Sequence, residues 1–297
     1  MKSSFHTPVM VKEVIEYLNP KENGVYVDCT LGTGGHSLAI LEKIGGNIKL
    51  VGIDWDEEAI KVSSERLKDY KDKVVIVKAN FADIDKILRE KCIDRVNGVL
   101  YDLGLSSLQL ENNKRGFSFL KDMPLDMRMD REGEITAGYL VNHLSKDELE
   151  NIFWNFGQER WARRMAEFIV EERKKSPILT TKQLVDVLKK AVPSRFRRGR
   201  RIHFATKVFQ ALRIAVNREL ENLEQSLSKA IRLLYSGGRI CVISYHSLED
   251  RIIKGKFKQV EGKELFILTR KVVKPSWEEV KSNPRSRSAR LRAAERI

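Results

Sequence analysis

The chain has 297 residues, 42% of them hydrophobic, enough to bury the core of one large domain or two modest ones and to exclude disorder as the starting expectation. No run of 18 or more apolar residues appears and the first eight residues lack the apolar stretch of a signal peptide, so no membrane partner and a cytoplasmic location are expected. The net charge of +14 points to a polyanionic partner, and Cys29, Cys92 and Cys241 are too scattered for a disulfide framework or a metal site and read as core thiols.

In chain order, a helix over 9–18 comes first. Short β-branched runs then alternate with amphipathic stretches, giving strands over 25–29, 48–54, 74–78 and 96–103 and helices over 35–44, 57–70 and 84–91. That rhythm is the mark of a parallel sheet with crossover helices. It stops after Asp102. From 114 to 205 the pattern is helical, with helices over 136–144, 145–156, 158–174 and 180–191; Ser145 with Glu148 and Thr180 with Gln183 fit capping boxes. The rhythm returns with a long helix over 206–234, a strand over 238–244, a helix over 248–259 and a strand over 265–270. A weaker pattern over 288–296 suggests a further edge strand. The organisation expected is one α/β domain, 1–113 and 206–297, interrupted by an all-helical insertion, 114–205.

The insertion carries 20 basic and 13 acidic residues, so half of the excess charge sits in under a third of the chain. Arg160, Arg163 and Arg164 interleave at helical spacing with Glu159, Glu167, Glu171 and Glu172, which reads as a solvated, paired helix surface. Arg195, Arg197, Arg198, Arg200 and Arg201 have no acidic neighbour and read as contacts to phosphate. The arginine and serine tail over 283–292 fits plain solvation equally poorly.

The first strand ends at Asp28 and the next helix begins near Gly35, so Gly32, Gly34 and Gly35 lie in a strand-to-helix turn, where open α/β sheets bind ligands. Asp54 ends the second strand, where a carboxylate can accept both hydroxyls of a ribose. The dinucleotide fingerprint fails because Ser37 takes the third glycine place, and no Gly-Lys-Ser/Thr of a P-loop follows. What remains, acid-x-Thr-x-Gly-x-Gly from Asp28 to Gly34, resembles the S-adenosylmethionine turn of Rossmann-like class I methyltransferases, with Thr30 in the first glycine place. Ser236-Gly-Gly-Arg-Ile-Cys-Val-Ile-Ser244 resembles the turn into their fifth strand. Phe81, just past the third strand, is placed either to flank an adenine or to fill the core, and Asp102 ends the fourth strand beside the crevice where a transferred methyl would lie.

Matched segments run nearly the length of the chain: His6-Thr-Pro-Val9, Asp28-Cys-Thr-Leu-Gly-Thr-Gly-Gly-His36, Asp102-Leu-Gly-Leu-Ser-Ser107, Gln109, Arg115-Gly-Phe-Ser-Phe119, Leu125-Asp-Met-Arg-Met129, Phe209-Gln-Ala-Leu-Arg-Ile214, His246-Ser-Leu-Glu-Asp-Arg251 and Asn283-Pro-Arg-Ser-Arg-Ser288. In these the chain resembles the MraW or RsmH family of bacterial 16S rRNA cytosine-N4 methyltransferases. The resemblance implies a mostly parallel sheet with helices on both faces, and an insertion that recognises substrate. It implies that Gly34, Gly35, His36, Asp54, Phe81, Asp102 and Gln109 contact S-adenosylmethionine, and that the acceptor is N4 of one cytidine in the decoding region, presented by the small ribosomal subunit.

For the chemistry, Asp102 is the leading candidate to accept an N–H of the cytosine amine, with holding the methionine ammonium as its other reading. The arginines from Arg195 to Arg201 would grip phosphates around a flipped-out base. His246 follows the fifth strand and is read either as a contact to base or phosphate or as a hydrogen-bonded structural histidine; His6 is read similarly, with a helix start as its structural role. No metal is expected, because transfer from a sulfonium needs none. Three competing classes fit less well. A nicotinamide dehydrogenase lacks its third glycine, a DNA amino-methyltransferase would show Asp/Asn-Pro-Pro-Tyr/Phe at Asp102-Leu-Gly-Leu, and a non-enzymatic RNA-binding factor needs no glycine turn with Asp54.

Overall fold

The computed structural model describes residues 7–106, 108–109, 115–197 and 202–297. His6, Ser107, Arg198, Arg200 and Arg201, and the expected boundary at 113/114, lie outside these. The chain forms two compact units, one of residues 1–106 and 220–297 and one of residues 107–219.

The first unit is built on a seven-stranded sheet. Its strands are β1 (Val25–Asp28), β2 (Lys49–Asp54), β3 (Val74–Lys78), β4 (Val96–Asp102), β5 (Leu234–Ser244), β6 (Leu265–Ile267) and β7 (Arg290–Arg296). They lie in the order β3-β2-β1-β4-β5-β7-β6; the first five are parallel, while β7 runs antiparallel to both β5 and β6. This is a Rossmann-like doubly wound sheet, whose strand order reverses between β1 and β4. Alternation along the strands splits the core in two. Val27, Val51, Ile53, Val99, Tyr101 and Val242 face one layer, and Tyr26, Leu50, Leu100, Cys241 and Ile243 the other. The first layer is completed by α4 (Ile84–Glu90), α10 (Glu219–Leu233) and α11 (Ser247–Val260), the second by α1 (Val11–Leu18) and α2 (Gly35–Ile44). Helix α3 (Glu57–Arg66) starts at Asp56, whose carboxylate accepts the Glu58 N–H at 3.1 Å.

The second unit contains α5 (Ala137–His143), α6 (Lys146–Asn155), α7 (Ala162–Arg173), α8 (Thr181–Ala191) and α9 (Thr206–Asn217). Both expected capping boxes are formed, Ser145 with Glu148 and Thr180 with Gln183. Helix α6 packs on α7 and α9, and α7 on α8, through buried Leu149, Phe153, Met165, Ile169, Leu184 and Leu212. Helix α9 therefore belongs with this unit rather than with the α/β unit.

Several expectations are corrected. The helix read over 206–234 is two helices, because Arg218 sits in the left-handed region at φ 49°. The helix read from 158 starts at Ala162, since Gln158 has φ 49°. A short helix missed from sequence, α12 (Trp277–Ser282), starts at Ser276. Cys92 is exposed rather than a core thiol, in a left-handed position (φ 54°) past the end of α4; Cys29 and Cys241 are buried. The largest change concerns the basic tail. Strand β7 lies between β5 and β6, not at the edge, and Arg292 is 9% exposed with its Nε 2.6 Å from Asp250 Oδ1. Arg290 adds a 3.5 Å contact to Asp250 Oδ2. The end of the tail is a structural strand whose charges are met inside the unit. Asp250→Ala is expected to destabilise the fold by about 3 kcal/mol, because it leaves the Arg292 guanidinium buried without its partner. Urea unfolding of the variant measures this, and a loss below about 0.5 kcal/mol would mark the pair as ornamental.

Candidate active site

At the switch point of the sheet three carboxylates stand at three strand ends: Asp28 on β1, Asp54 on β2 and Asp102 on β4. The turn after β1 is tight. The Gly34 N–H donates to Leu31 O at 2.8 Å, and Gly32 and Gly34 have φ of 51° and 75°, a region that disfavours side chains. A Cβ on Gly34 would also stand 3.2 Å from the Leu67 side chain, so the turn is closed to larger residues from behind. On Gly32 a Cβ would meet nothing nearer than Thr30 O at 3.8 Å, so this side of the turn is open.

Asp28 is the anchor of the turn. Its Oδ1 accepts the Thr30 N–H at 3.2 Å and its Oδ2 the Ser37 hydroxyl at 2.7 Å, and burial raises its pKa above the ordinary carboxylate value. Asp54 ties the turn to β2 through Oδ2, which accepts the Gly32 N–H at 2.8 Å, while Oδ1 accepts the Asp56 N–H at 2.9 Å. Burial pushes its pKa up to about 6, against those two N–H donors, which pull it down.

Asp102 is held by two hydrogen bonds of the same unit. Its backbone N–H donates to Thr30 Oγ1 at 2.6 Å, and the Tyr245 hydroxyl donates to Oδ1 at 2.7 Å. His36 Nε2 lies 3.3 Å from Oδ2, off the line a hydrogen bond needs. His36 is buried, and its Nδ1 has no hydrogen-bond partner among the described residues. Burial lowers its pKa, but Asp102, Asp28 and Glu279 outweigh that and hold it above the ordinary imidazole value. Burial beside Asp102 raises the Tyr245 hydroxyl well above its usual range, so it stays a donor.

The fit to an adenosyl amino acid follows from the donor set. Asp54 has lone pairs left for ribose hydroxyls, the Asp102 carboxylate is an acceptor suited to an ammonium or amine, and the turn is open on the Gly32 side. Residues 3–297 match the MraW methylase family. The chain belongs to that family. It is 53% identical over 295 residues to the ribosomal RNA small subunit methyltransferase H of Thermotoga neapolitana, covering 99% of this chain and 96% of that one. The enzymes of the same name from Pseudothermotoga lettingae and Clostridium botulinum (strain Loch Maree) are 50% and 48% identical, each covering 98% of this chain and 98% and 99% of their own.

Of the residues the MraW resemblance singles out, Gly34, Gly35, His36, Asp54 and Asp102 line this one end of the sheet. Pro8 fills the space beside Gly35, where a Cβ would approach its ring to 3.0 Å. Phe81 follows Asn80 in a short 3-10 turn after β3 and stands edge-on to Tyr101, with ring centroids 5.7 Å apart, so it packs on the core. Gln109 belongs to the second unit and is buried there. Arg195 is exposed, with its guanidinium 4.8 Å from the Phe196 ring centre, and Arg197 follows it. Of the cluster read as paired, Arg163 meets Glu167 at 3.6 Å, whereas Arg160 and Arg164 lie over aromatic rings, of Phe196 and Trp161 for the one and of Phe168 for the other.

His246 is the cap of α11. Its Nδ1 accepts the Glu249 N–H at 3.4 Å, and Glu249 Oε2 accepts the His246 N–H at 3.3 Å, a capping box with histidine in the serine place. Sequence reasoning passed over its neighbour Tyr245, which touches Asp102. The signal was its place directly after β5, whose last residues pair with the end of β4. Tyr245→Phe is expected to lower methyl-transfer turnover about tenfold with little change in cofactor affinity, because it removes one donor that fixes the Asp102 carboxylate. Steady-state kinetics alongside calorimetric binding checks this, and unchanged turnover would remove Tyr245 from the site.

Proposed function

We propose that the chain transfers a methyl group from S-adenosylmethionine to the exocyclic N4 of a specific cytidine in the decoding region of 16S rRNA, acting on the small ribosomal subunit. The observation that carries this reading is the carboxylate of Asp102, held by the Tyr245 hydroxyl with His36 beside it, at the switch point next to the glycine turn. Gly34, Gly35, His36, Asp54 and Phe81 are the residues that would hold the cofactor, which would supply an electrophilic sulfonium methyl.

The amine of cytosine is a weak nucleophile because its lone pair is delocalised into the ring. Asp102, by accepting one amine N–H, localises that pair on nitrogen and orients it; a carboxylate has about four lone-pair directions, and the Tyr245 hydroxyl takes one of them on Oδ1. Holding the amine in one geometry supplies much of the acceleration. The same oxygen is the nearest acceptor for the proton that leaves the methylated nitrogen. Arg195 and Arg197, with Arg198, Arg200 and Arg201 beside them in the sequence, grip phosphates of the RNA. His246 acts through its cap on α11 and has no required contact with the base in this reading. Among the described residues no helix is long and apolar enough to cross a membrane, and the substrate implies work in the cytoplasm.

The experiment is transfer of labelled methyl from S-adenosylmethionine to purified small subunits, naked rRNA and duplex DNA, followed by nucleoside analysis. Label recovered as N4-methylcytidine from subunits is the expected result. Label in another nucleoside, or none despite cofactor binding, would overturn the cytidine assignment.

A further inference from the structure

A second basic surface lies in the α/β unit, and of the segments described above only the end of the basic tail, Arg292, reaches it. Between α11 and β6 is a cleft of about 210 Å³. Buried Phe257 and half-buried Ile267 form its apolar floor, and Lys254, Lys258 and Arg270 stand exposed around it. Arg292 also lines it but is neutralised by Asp250, and one carboxylate, Glu261, reaches the rim. Lys254, Lys258 and Arg270 have no ion-pair partner among the described residues. Lys254 and Lys258, four residues apart on α11, place like charges on one helix face, a repulsion that an anion laid across them would relieve. The surrounding segment, 251–274, holds eight basic and two acidic residues, and one of those acids, Glu264, is already paired with Arg296 at 2.6 Å.

We infer that this cleft binds the phosphate backbone of the RNA substrate, as an anchor separate from the arginines of the second unit. The inference rests on the reading of RNA as substrate. The cations are spread along an open rim on long flexible stems, an arrangement that suits successive phosphates of a strand better than one enclosed small anion. The position fits as well. Strand β6 lies three strands beyond β4, and the register sets Ile267 level with Val99, three residues before Asp102, so at about 4.8 Å per strand and about 3.3 Å per residue β6 stands on the order of 15–20 Å from Asp102. RNA presenting a base at Asp102 would thus lay nucleotides several positions away across the rim.

The test uses the full chain with Lys254→Gln, Lys258→Gln and Arg270→Gln combined, beside a control carrying Lys43→Gln, Lys49→Gln and Lys71→Gln, which removes the same charge from another part of the same unit. Binding to 16S rRNA and to small subunits is measured across a salt series, without methyl transfer. The slope of log affinity against log salt is expected to fall by about two in the cleft variant, since each phosphate contact contributes about 0.7–0.9, and by less than one in the control, with S-adenosylmethionine affinity unchanged in both. Equal slopes for the two variants, or no rRNA binding by the wild type, overturn the inference. So does a thermal shift by inorganic phosphate that is lost in the cleft variant while its RNA slope stays that of the wild type, which would identify a small-anion site. Failure of methyl transfer with the slopes as expected would sink the functional reading and leave this surface standing.

Discussion

Asp102→Asn is expected to lower turnover on small subunits by about 10²- to 10³-fold while changing S-adenosylmethionine affinity by less than about threefold. The substitution keeps the size and leaves one oxygen to accept the Tyr245 hydroxyl, which now donates to Asp102 Oδ1 at 2.7 Å. The other oxygen becomes an NH₂. It then points a donor at His36, now 3.3 Å from Oδ2, and at an incoming amine that itself only donates there. The cytosine nitrogen loses the acceptor that localises its lone pair, and the departing proton loses its destination. The opposite pattern is equally readable. If Asp102 serves only to hold the methionine ammonium, the cofactor dissociation constant rises more than turnover falls, and the acceptor role assigned here is wrong. Single-turnover kinetics at saturating cofactor, with binding measured separately, distinguish the two, and a matching circular dichroism spectrum shows that the sheet is intact.

The candidate site at this end of the sheet was legible in the sequence because each of its parts leaves a local trace. Asp28, Asp54 and Asp102 each close an apolar β-branched run, and Gly32 and Gly34 sit where the backbone must take positive φ. The helices of the second unit carried their own caps, at Ser145 and Thr180. Features decided by long-range pairing left no such trace. Tyr245 lies 143 residues from Asp102, and its place after β5 points to Asp102 only once β4 and β5 are known to pair. Strand β7 reads in sequence only as a weak edge strand, and its inner place is decided by pairing with β5 and β6 and by Asp250 and Glu295 meeting Arg292 and Arg239. The break at Arg218 has no glycine or proline to mark it. The basic rim over 251–274 escaped notice because its charges are spaced along a helix and across a hairpin, not run together as at 195–201.

Asp54→Ala is expected to weaken S-adenosylmethionine binding about 100-fold, or about 2.7 kcal/mol, and to remove the pH dependence that this carboxylate imposes. The loss has two sources: acceptors for the ribose hydroxyls disappear, and Gly32 loses the oxygen that receives its N–H at 2.8 Å. The pH dependence has a definite sign. Burial raises Asp54 from 3.8 to about 6, so the folded chain prefers the protonated acid. Its contribution to stability is fully present below pH 3.8 and is lost as pH rises through 6, on the order of 2–3 kcal/mol in all. Wild-type stability relative to Asp54→Ala should therefore fall between pH 5 and 7, read by urea unfolding without cofactor. Cofactor affinity should run the other way. Ribose hydroxyls donate to the ionised form, so the wild-type dissociation constant should rise by up to about tenfold per unit below pH 6, with no such rise in the variant. A dissociation constant flat from pH 5 to 8 would mean that Asp54 serves the glycine turn alone. The opposed slopes, if found, mean that the unliganded fold carries an ionised carboxylate in a half-buried place where it is disfavoured, and that the hydroxyls of the bound cofactor relieve it.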